Sequence, residues 1–498
     1  MRIPGVSQAE WDTLPDAVRA FIEWQAQRIE ALETQNAALV ARCTALEARV
    51  AELEARLAKN SGNSHQPPSS DGPGKPNRTQ SERRSSGKKP GGQPGHSGGT
   101  LRKSLTPDTR VRHGVQSCGH CQRDLSRQKP DSVEERQVFD LPPMQLSCEA
   151  HEREIKKCPG CGHENSAEWP GLLASESGAA IYGERFRALG VYLTQAQLLP
   201  YQRSGDLIED LFGHRLSAGS LAEWTRKASD ALADTDRHVA DILANEMGSV
   251  HFDETGLRCE GKNRWLHSAS NARLTHLAFH RRRGTEAIEE IGILPRFQGT
   301  AIHDRWKPYS QYSCSHGLCG AHLLRDCRFA WEEEKERWAR SMHGFLVKTC
   351  AGVNRAREQG RSRFNGPTIE RLERRYARIL KAGHRLHASK NPLPRSGTRG
   401  RRKQRFGKNL IDALMEHRGS VLRFVRDFSV PFTNNQAERD IRMSKVKIKV
   451  SGCFRSEDGA RQFCRIRGYL STARKQGWNL LEALTSVFVG APLQPAHA

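Results

Sequence analysis

A chain of 498 residues is too long for one ordinary core and divides into about two to four domains. Lys and Arg outnumber Asp and Glu 79 to 56, a formal net charge of +23, which calls for a polyanionic partner reached through phosphate contacts and counterion release. No apolar run of about 18 residues occurs, which excludes an ordinary membrane-spanning helix.

A ribosomal role or binding to anionic lipid fits the charge as well as DNA does. The opening MRIPGVSQAEWD lacks a basic start followed by an apolar stretch, so it is not read as a secretory signal. A reducing, cytoplasmic and nucleoid-associated setting is expected, with the 13 cysteines serving as metal ligands and free thiols rather than disulfides.

Residues 1–59 are expected to form a helical coiled coil. Its a positions are Ile22, Ile29, Asn36, Cys43, Val50 and Leu57; its d positions are Gln25, Leu32, Leu39, Leu46 and Leu53. β-Branched residues at a with Leu at d favour a parallel pair, and one Asn at a fixes register. Arg42 can meet Glu47 of a partner helix, and Arg49 can meet Glu54. A homodimer or higher oligomer follows; the alternative is a lone amphipathic helix folded onto its own chain. Residues 60–105 are Pro-, Gly- and Ser-rich with scattered Lys and Arg, a segment with too little to bury and expected to be a disordered basic linker.

Residues 106–168 carry Cys118-Gly-His-Cys121 and Cys158-Pro-Gly-Cys161. A Cys-x-x-Cys turn aims both sulfurs at one ion, so two such turns suit one structural, tetrahedral Zn²⁺ held by Cys118, Cys121, Cys158 and Cys161. VEERQVFDLPP and MQLSCEAHEREIKKC between them read as short strands of a zinc ribbon, with His120 and His163 facing solvent. Residues 169–245 read as helical. SGDLIEDLFG, the break HRLS and AGSLAEWTRKASDAL resemble a helix-turn-helix, which either reads DNA or is plain bundle packing.

From Ser249 the texture changes to strands. SVHFDETGLRC, RWLHSASN and LTHLAFHRRR, the helical GTEAIEEIGIL and then GTAIHDRWKPY give the order βββαβ, the start of an RNase H-like sheet. In that arrangement the fourth strand lies beside the first, so Asp253 and Asp304 converge. A third acid, Glu438, lies in FTNNQAERDIRMSKVK, a helix that Asn434 or Asn435 can cap. Glu254 falls on the opposite sheet face and reads as a surface or supporting group. Spacing alone does not single these acids out.

HFDETG, HDRWKPY, GAHLLRD, NNQAERDIR and the long KVKIKVSGCFRSEDGARQFCRIRGYLSTARKQG resemble the insertion sequence 66 family of bacterial transposases, over nearly the whole chain. The resemblance implies a DDE transposase that binds terminal inverted repeats and target DNA. Asp253, Asp304 and Glu438 would then hold two Mg²⁺ ions, with water first nicking the element's end and the freed 3′-hydroxyl attacking the target strand. Cys319-Gly-Ala-His322 resembles a Cys-x-x-His element of such families, placing His322 at the active site, where it contacts the scissile phosphate; a second zinc site or buried packing is the alternative. Accessory transposition proteins are implied as well.

The chain departs from the family at Arg305-Trp306, where many relatives carry Gly-Tyr, and at Ile448, where a polar residue is frequent. The fold expected is multidomain α/β: coiled coil, zinc ribbon, helical DNA-binding region, an RNase H-like catalytic domain over 246–455 with a helical insertion at about 325–425, and a helical tail over 456–498. Arg401, Arg402, Lys403 and Arg405 in the insertion, and Arg439, Arg442, Lys445, Lys447 and Lys449 past the third acid, are expected to meet the DNA backbone. An RNase H-like nuclease that only hydrolyses, and a non-catalytic zinc-containing DNA-binding regulator, remain as competing readings.

Overall fold

The computed structural model describes residues 7–57, 95, 99, 101–176, 178–393 and 402–496. Most of the 60–105 linker and Arg401 therefore lie outside the described residues.

Asp16–Leu57 is one unbroken helix, α1, about 63 Å long at 1.5 Å per residue. No glycine or proline interrupts it. It begins ahead of Ile22, where the heptad starts. Ile29, Leu32, Leu39, Leu46, Val50 and Leu53 stand 41–55% exposed along it, an apolar stripe open to solvent.

In residues 106–168 each cysteine pair sits on its own small turn. Ser117 bridges Asp124 around the first, and Ile155–Lys157 pairs with Glu164–Ser166 around the second. The strands expected between the pairs are absent among the described residues; VEERQVFDLPP is irregular and only the end of the second segment is paired. Val133, Val138 and Leu141 are at least 70% exposed, so nothing buries the alternation from which those strands were read.

Four helices follow: α2 (Glu184–Val191, extended by a π turn over Tyr192–Ala196), α3 (Tyr201–Phe212), α4 (Ala218–Ala231) and α5 (Ala233–Ala244), preceded by the single turn Leu172–Ser175. Gly213, at φ 64°, ends α3, and the Ser217 hydroxyl caps α4 by accepting from the Ser220 N–H at 3.0 Å. The expected helix, break and helix are thus present. On α4, Leu221, Trp224 and Ala228 are buried, while the exposed Arg226 is held by Glu223 and Asp230 at 2.7 Å each. That face is charge-balanced, and the pair serves the bundle.

A five-stranded sheet comes next: β1 (Ser249–Cys259), β2 (Lys262–Ser270), β3 (Thr275–His280), then helix α6 (Thr285–Ile291), β4 (Thr300–His303) and β5 (Ser315–Leu318). The order is β3-β2-β1-β4-β5, with the first three antiparallel and β4 and β5 parallel to β1. Glu260 (φ 52°) and Gly261 (φ 71°) make the two-residue turn between β1 and β2, both in the left-handed region such hairpins demand. The βββαβ order is as expected; β5 was not, since Ser-His-Gly-Leu carries little strand signal.

Between β5 and the third acid lie α7 (Gly320–Glu332), α8 (Arg337–Glu358), α9 (Gly366–Ala388) and α10 (Phe406–Glu416). Within the helical insertion, the stretch WEEEKERWARSMHGFLVKTC breaks between Glu332 and Arg337. Glu336 in that break is 1% exposed and accepts from Trp338 Nε1 (2.5 Å), His387 Nε2 (3.0 Å) and Lys390 Nζ (2.7 Å), tying α8 to α9. Then come α11 (Asn435–Ser451), α12 (Glu457–Lys475) and α13 (Leu480–Phe488).

Two faces of the sheet are covered. Val250, Phe252 and Ala269 pack against Val239 and Leu243 of α5 and Ile288 of α6. Leu257, Leu266 and Leu277 pack on the other side against Ile441 of α11 and Phe463 of α12. The helical region expected at 169–245 and the tail expected at 456–498 share one core, in which Ala188, Val191, Leu221 and Trp224 meet Ile466, Leu470, Ala483 and Leu484. Gly190 permits this closeness: a Cβ there would lie 2.8 Å from both Leu221 and Trp224. Because Trp224 joins segments remote in sequence, Trp224→Ala should lower unfolding free energy by about 3–5 kcal/mol in urea denaturation.

Candidate active site and cysteine knuckles

Successive residues of a strand point to opposite faces. Asp253 shares the face of His251 and Leu257, which α11 covers. The parallel register pairs His251 with Ile302, and two residues further along Asp253 stands level with Asp304, just past the end of β4. Glu438 lies in the first turn of α11.

What seats α11 on β1 is Asn434, 1% exposed. It occupies the N-cap position, yet its side chain makes no capping bond. Instead Oδ1 meets His251 Nδ1 at 2.8 Å and Nδ2 donates to the Phe252 carbonyl at 2.8 Å, one residue from Asp253. The expected cap is thus a tertiary clamp. On its other side the Asn434 N–H donates to Cys319 Sγ at 3.2 Å, and the Gly320 N–H donates to the Phe432 carbonyl at 2.7 Å. Gly320 has no side chain to strike the Phe432 ring, which lies against it. The start of α7, with Cys319 and His322, is thereby brought to the start of α11.

The electrostatics show how crowded the acids are. Burial first, then the charges of Glu254, Asp304 and Glu438, push the Asp253 carboxyl up to about 8. Glu254 is not a surface group: its side chain is 2% exposed, paired with Arg283 and accepting from the Tyr309 hydroxyl. Burial and Asp304 raise its pKa, against the pull of Arg283. Arg283 is itself stacked over Trp306 (4.2 Å) and Trp265 (5.1 Å). Asp304 Oδ1 accepts from the Trp306 N–H at 2.8 Å.

Both departures from the family pattern acquire a place here. Trp306 stacks on Arg283 while Arg305 pairs with Asp326, and Ile448 packs against the apolar cluster of Leu257 and Phe463. Asp440, the other acid near the start of α11, is bound to Lys475 (2.9 Å) and Ser471 (3.0 Å), a structural ion pair. Burial works against charge on His322, but the hydrogen bond and charge of Cys319 outweigh it and lift the imidazole to about 9.

Of the basic residues, Arg439, Arg442 and Lys449 are exposed on α11, as are Arg402 and Lys403 ahead of α10, with Arg405 half-buried. Lys445 and Lys447 are not part of an open surface. Lys445 donates to the Gly256 carbonyl at 2.8 Å and Lys447 lies over Phe454, with burial lowering the pKa of both. Arg283 and Tyr309 went unassigned in the sequence, Asn434 was read only as a candidate cap and Glu254 as a surface or supporting group.

Each cysteine pair is shaped for a metal. Backbone N–H groups of Cys121 and His120 hydrogen-bond Cys118 and lower its pKa; those of Gly160 and Cys161 do the same for Cys158. Such turns favour thiolate, the form that ligates zinc. His120 and His163 are exposed. The two pairs are not drawn together: among the described residues the grouping close enough to share an ion is Cys319, His322 and Glu438.

The mixed sheet bears buried acids, and paired cysteine knuckles precede it in a strongly cationic chain. Residues 179–462 match the IS66 transposase family, and residues 116–162 match the zinc-finger domain of that family's transposases. The chain belongs to the IS66 family. A family of unknown function matches residues 22–102. No curated protein matches the chain. Among the described residues no helix is long and apolar enough to cross a membrane.

Two outcomes follow from these local structures. Asn434→Ala should cost about 2 kcal/mol in unfolding free energy, since it strands the buried His251 Nδ1 and the Phe252 carbonyl. Cys158→Ser should lower zinc content by one ion per chain in elemental analysis; unchanged zinc removes the knuckle assignment.

Proposed function

We propose that the chain is a DNA transposase that binds the terminal inverted repeats of its element and catalyses Mg²⁺-dependent cleavage and joining of strands on an RNase H-like core. The observation that carries the reading is the meeting of Asp253, Asp304 and Glu438, from β1, the end of β4 and the start of α11, in a chain of a transposase family. The donor chemistry fits hard divalent cations: carboxylate oxygens suit Mg²⁺, and the upward push on Asp253 marks negative charge that the side chains leave uncompensated. Two Mg²⁺ ions bound there would activate the attacking oxygen and stabilise the leaving one.

The chain's own groups do the rest. Asn434 holds Glu438's helix against β1, Arg283 and Tyr309 keep Glu254 out of the site, and His322, carrying a proton, donates to an oxygen of the scissile phosphate. Cys118, Cys121, Cys158 and Cys161 hold one structural Zn²⁺. Arg401, Arg402, Lys403 and Arg405, with Arg439 and Arg442, track the DNA backbone, while Lys445 and Lys447 support the surface beneath it. The exposed stripe of α1 pairs with a second copy, giving a homodimer or higher oligomer. Accessory transposition proteins complete the assembly, at the nucleoid.

Strand cleavage and joining on DNA carrying the element's own ends, with Mg²⁺ or Mn²⁺ and with cell extract in a parallel set, tests the proposal. Wild type should form joined product and Glu438→Gln should lose it. Cleavage without joining points to a nuclease, and DNA binding without cleavage to a regulator. Replacing Leu39 and Leu46 together by Ser should halve the mass measured by light scattering; an unchanged mass removes the coiled-coil pairing.

A further inference from the structure

Cys319, His322 and Glu438 offer a sulfur, an imidazole nitrogen and a carboxylate oxygen that all lie within 4.8 Å of one another. Two places in the fold supply these atoms: Cys319, directly before α7, and His322 in its first turn share one, and Glu438 in the first turn of α11 is the other. Bonds of about 2.3 Å to sulfur and about 2.0–2.2 Å to nitrogen and oxygen put the ligands of a tetrahedral ion about 3.3–3.8 Å apart.

We infer that Cys319, His322 and Glu438 form a second Zn²⁺ site, distinct from the cysteine knuckles and sharing one carboxylate with the acidic cluster. Two further observations point to a ligand. His322 Nδ1 is fully buried and has no hydrogen-bond partner, a costly arrangement that a bond to a metal or a proton acceptor relieves. The Asn434 N–H aimed at Cys319 Sγ is the outer-shell contact that orients a ligating sulfur. The donor set also discriminates. Thiolate and imidazole are poor ligands for Mg²⁺ and good ones for Zn²⁺, whereas Asp253 and Asp304 offer only oxygen. Three protein ligands leave the fourth position of a tetrahedral ion open to water or phosphate.

The consequence rests on the proposed role of Glu438. A carboxylate turned toward Cys319 and His322 is withdrawn from Asp253 and Asp304, so Zn²⁺ at this site holds the acidic cluster incomplete until DNA displaces it.

Metal content tests the site without reference to activity. Full-length protein equilibrated with Zn²⁺, freed of unbound metal and measured by elemental analysis should lose one zinc per chain on Cys319→Ser and, separately, one on Cys158→Ser. Equal zinc in Cys319→Ser and wild type overturns the site. Wild-type protein whose knuckles are filled with Zn²⁺ gives a second measurement that needs no variant. Titration with Co²⁺ should raise a thiolate-to-cobalt absorption that excess Mg²⁺ leaves in place; no such band overturns the proposal. Because both readouts are taken without DNA, they stand or fall apart from the strand-joining assay. In that assay, suppression of cleavage by added Zn²⁺ should be lost in Cys319→Ser.

Discussion

Asp253 and Glu254 are buried side by side on β1 with the charges of Asp304 and Glu438 close to Asp253, and accommodating that burial is the constraint around which this corner of the sheet is arranged. Like charges in a desolvated corner disfavour one another's ionisation, and the effect falls on Asp253, lifted to about 8. Glu254 is relieved differently. Arg283 supplies the opposite charge, Tyr309 a hydrogen bond, and Trp265 and Trp306 fix the plane of the guanidinium. That division leaves Asp253, Asp304 and Glu438 on the other side, where the charge of His322 pulls against theirs.

Holding such a corner together requires anchors that do not depend on the acids. Asn434 is the central one, because it bonds β1 through two polar contacts and α7 through a third. Each of those contacts is buried, where hydrogen bonds gain strength and unpaired groups cost most. The helix just past Glu438 is fixed by the Asp440–Lys475 pair and by Ile441 in the apolar cluster. The ligand-bearing turn of α11 is thus positioned from its two flanks, and Glu438 itself carries no structural bond that a metal would have to break.

Much of this architecture was legible in the sequence, for reasons that differ by element. The order βββαβ showed because SVHFDETGLRC and its neighbours alternate or run apolar over lengths only strands use. The heptad gave α1 because 3.5-residue periodicity without a breaker has no other regular form. Periodicity failed where burial failed: VEERQVFDLPP alternates, but nothing covers it. It also failed at Glu336, where a buried charge interrupts what reads as one helix. Asn434 was visible only as a cap, since its tertiary partners lie more than 180 residues away in the chain. Lys445 and Lys447 looked like an open basic surface because charge is readable in a sequence while the carbonyl or ring beneath a lysine is not.

The same limit explains why modules separate in sequence merge in the fold. Residues 184–231 look like a free-standing helical domain, and 457–488 like a tail. Each alone leaves an apolar face: Trp224 and Leu221 on one, Ile466 and Leu470 on the other. Together they close a core, and α12 continues from it onto β3, where Thr472 accepts from the Thr275 N–H at 3.0 Å and Gly468 lets the helix lie against the strand. α12 thus packs against both the helical bundle and the sheet that carries Asp253. Lys475, at the end of that same helix, bonds both Thr275 and Asp440, so α12 links the bundle and α11 through continuous packing.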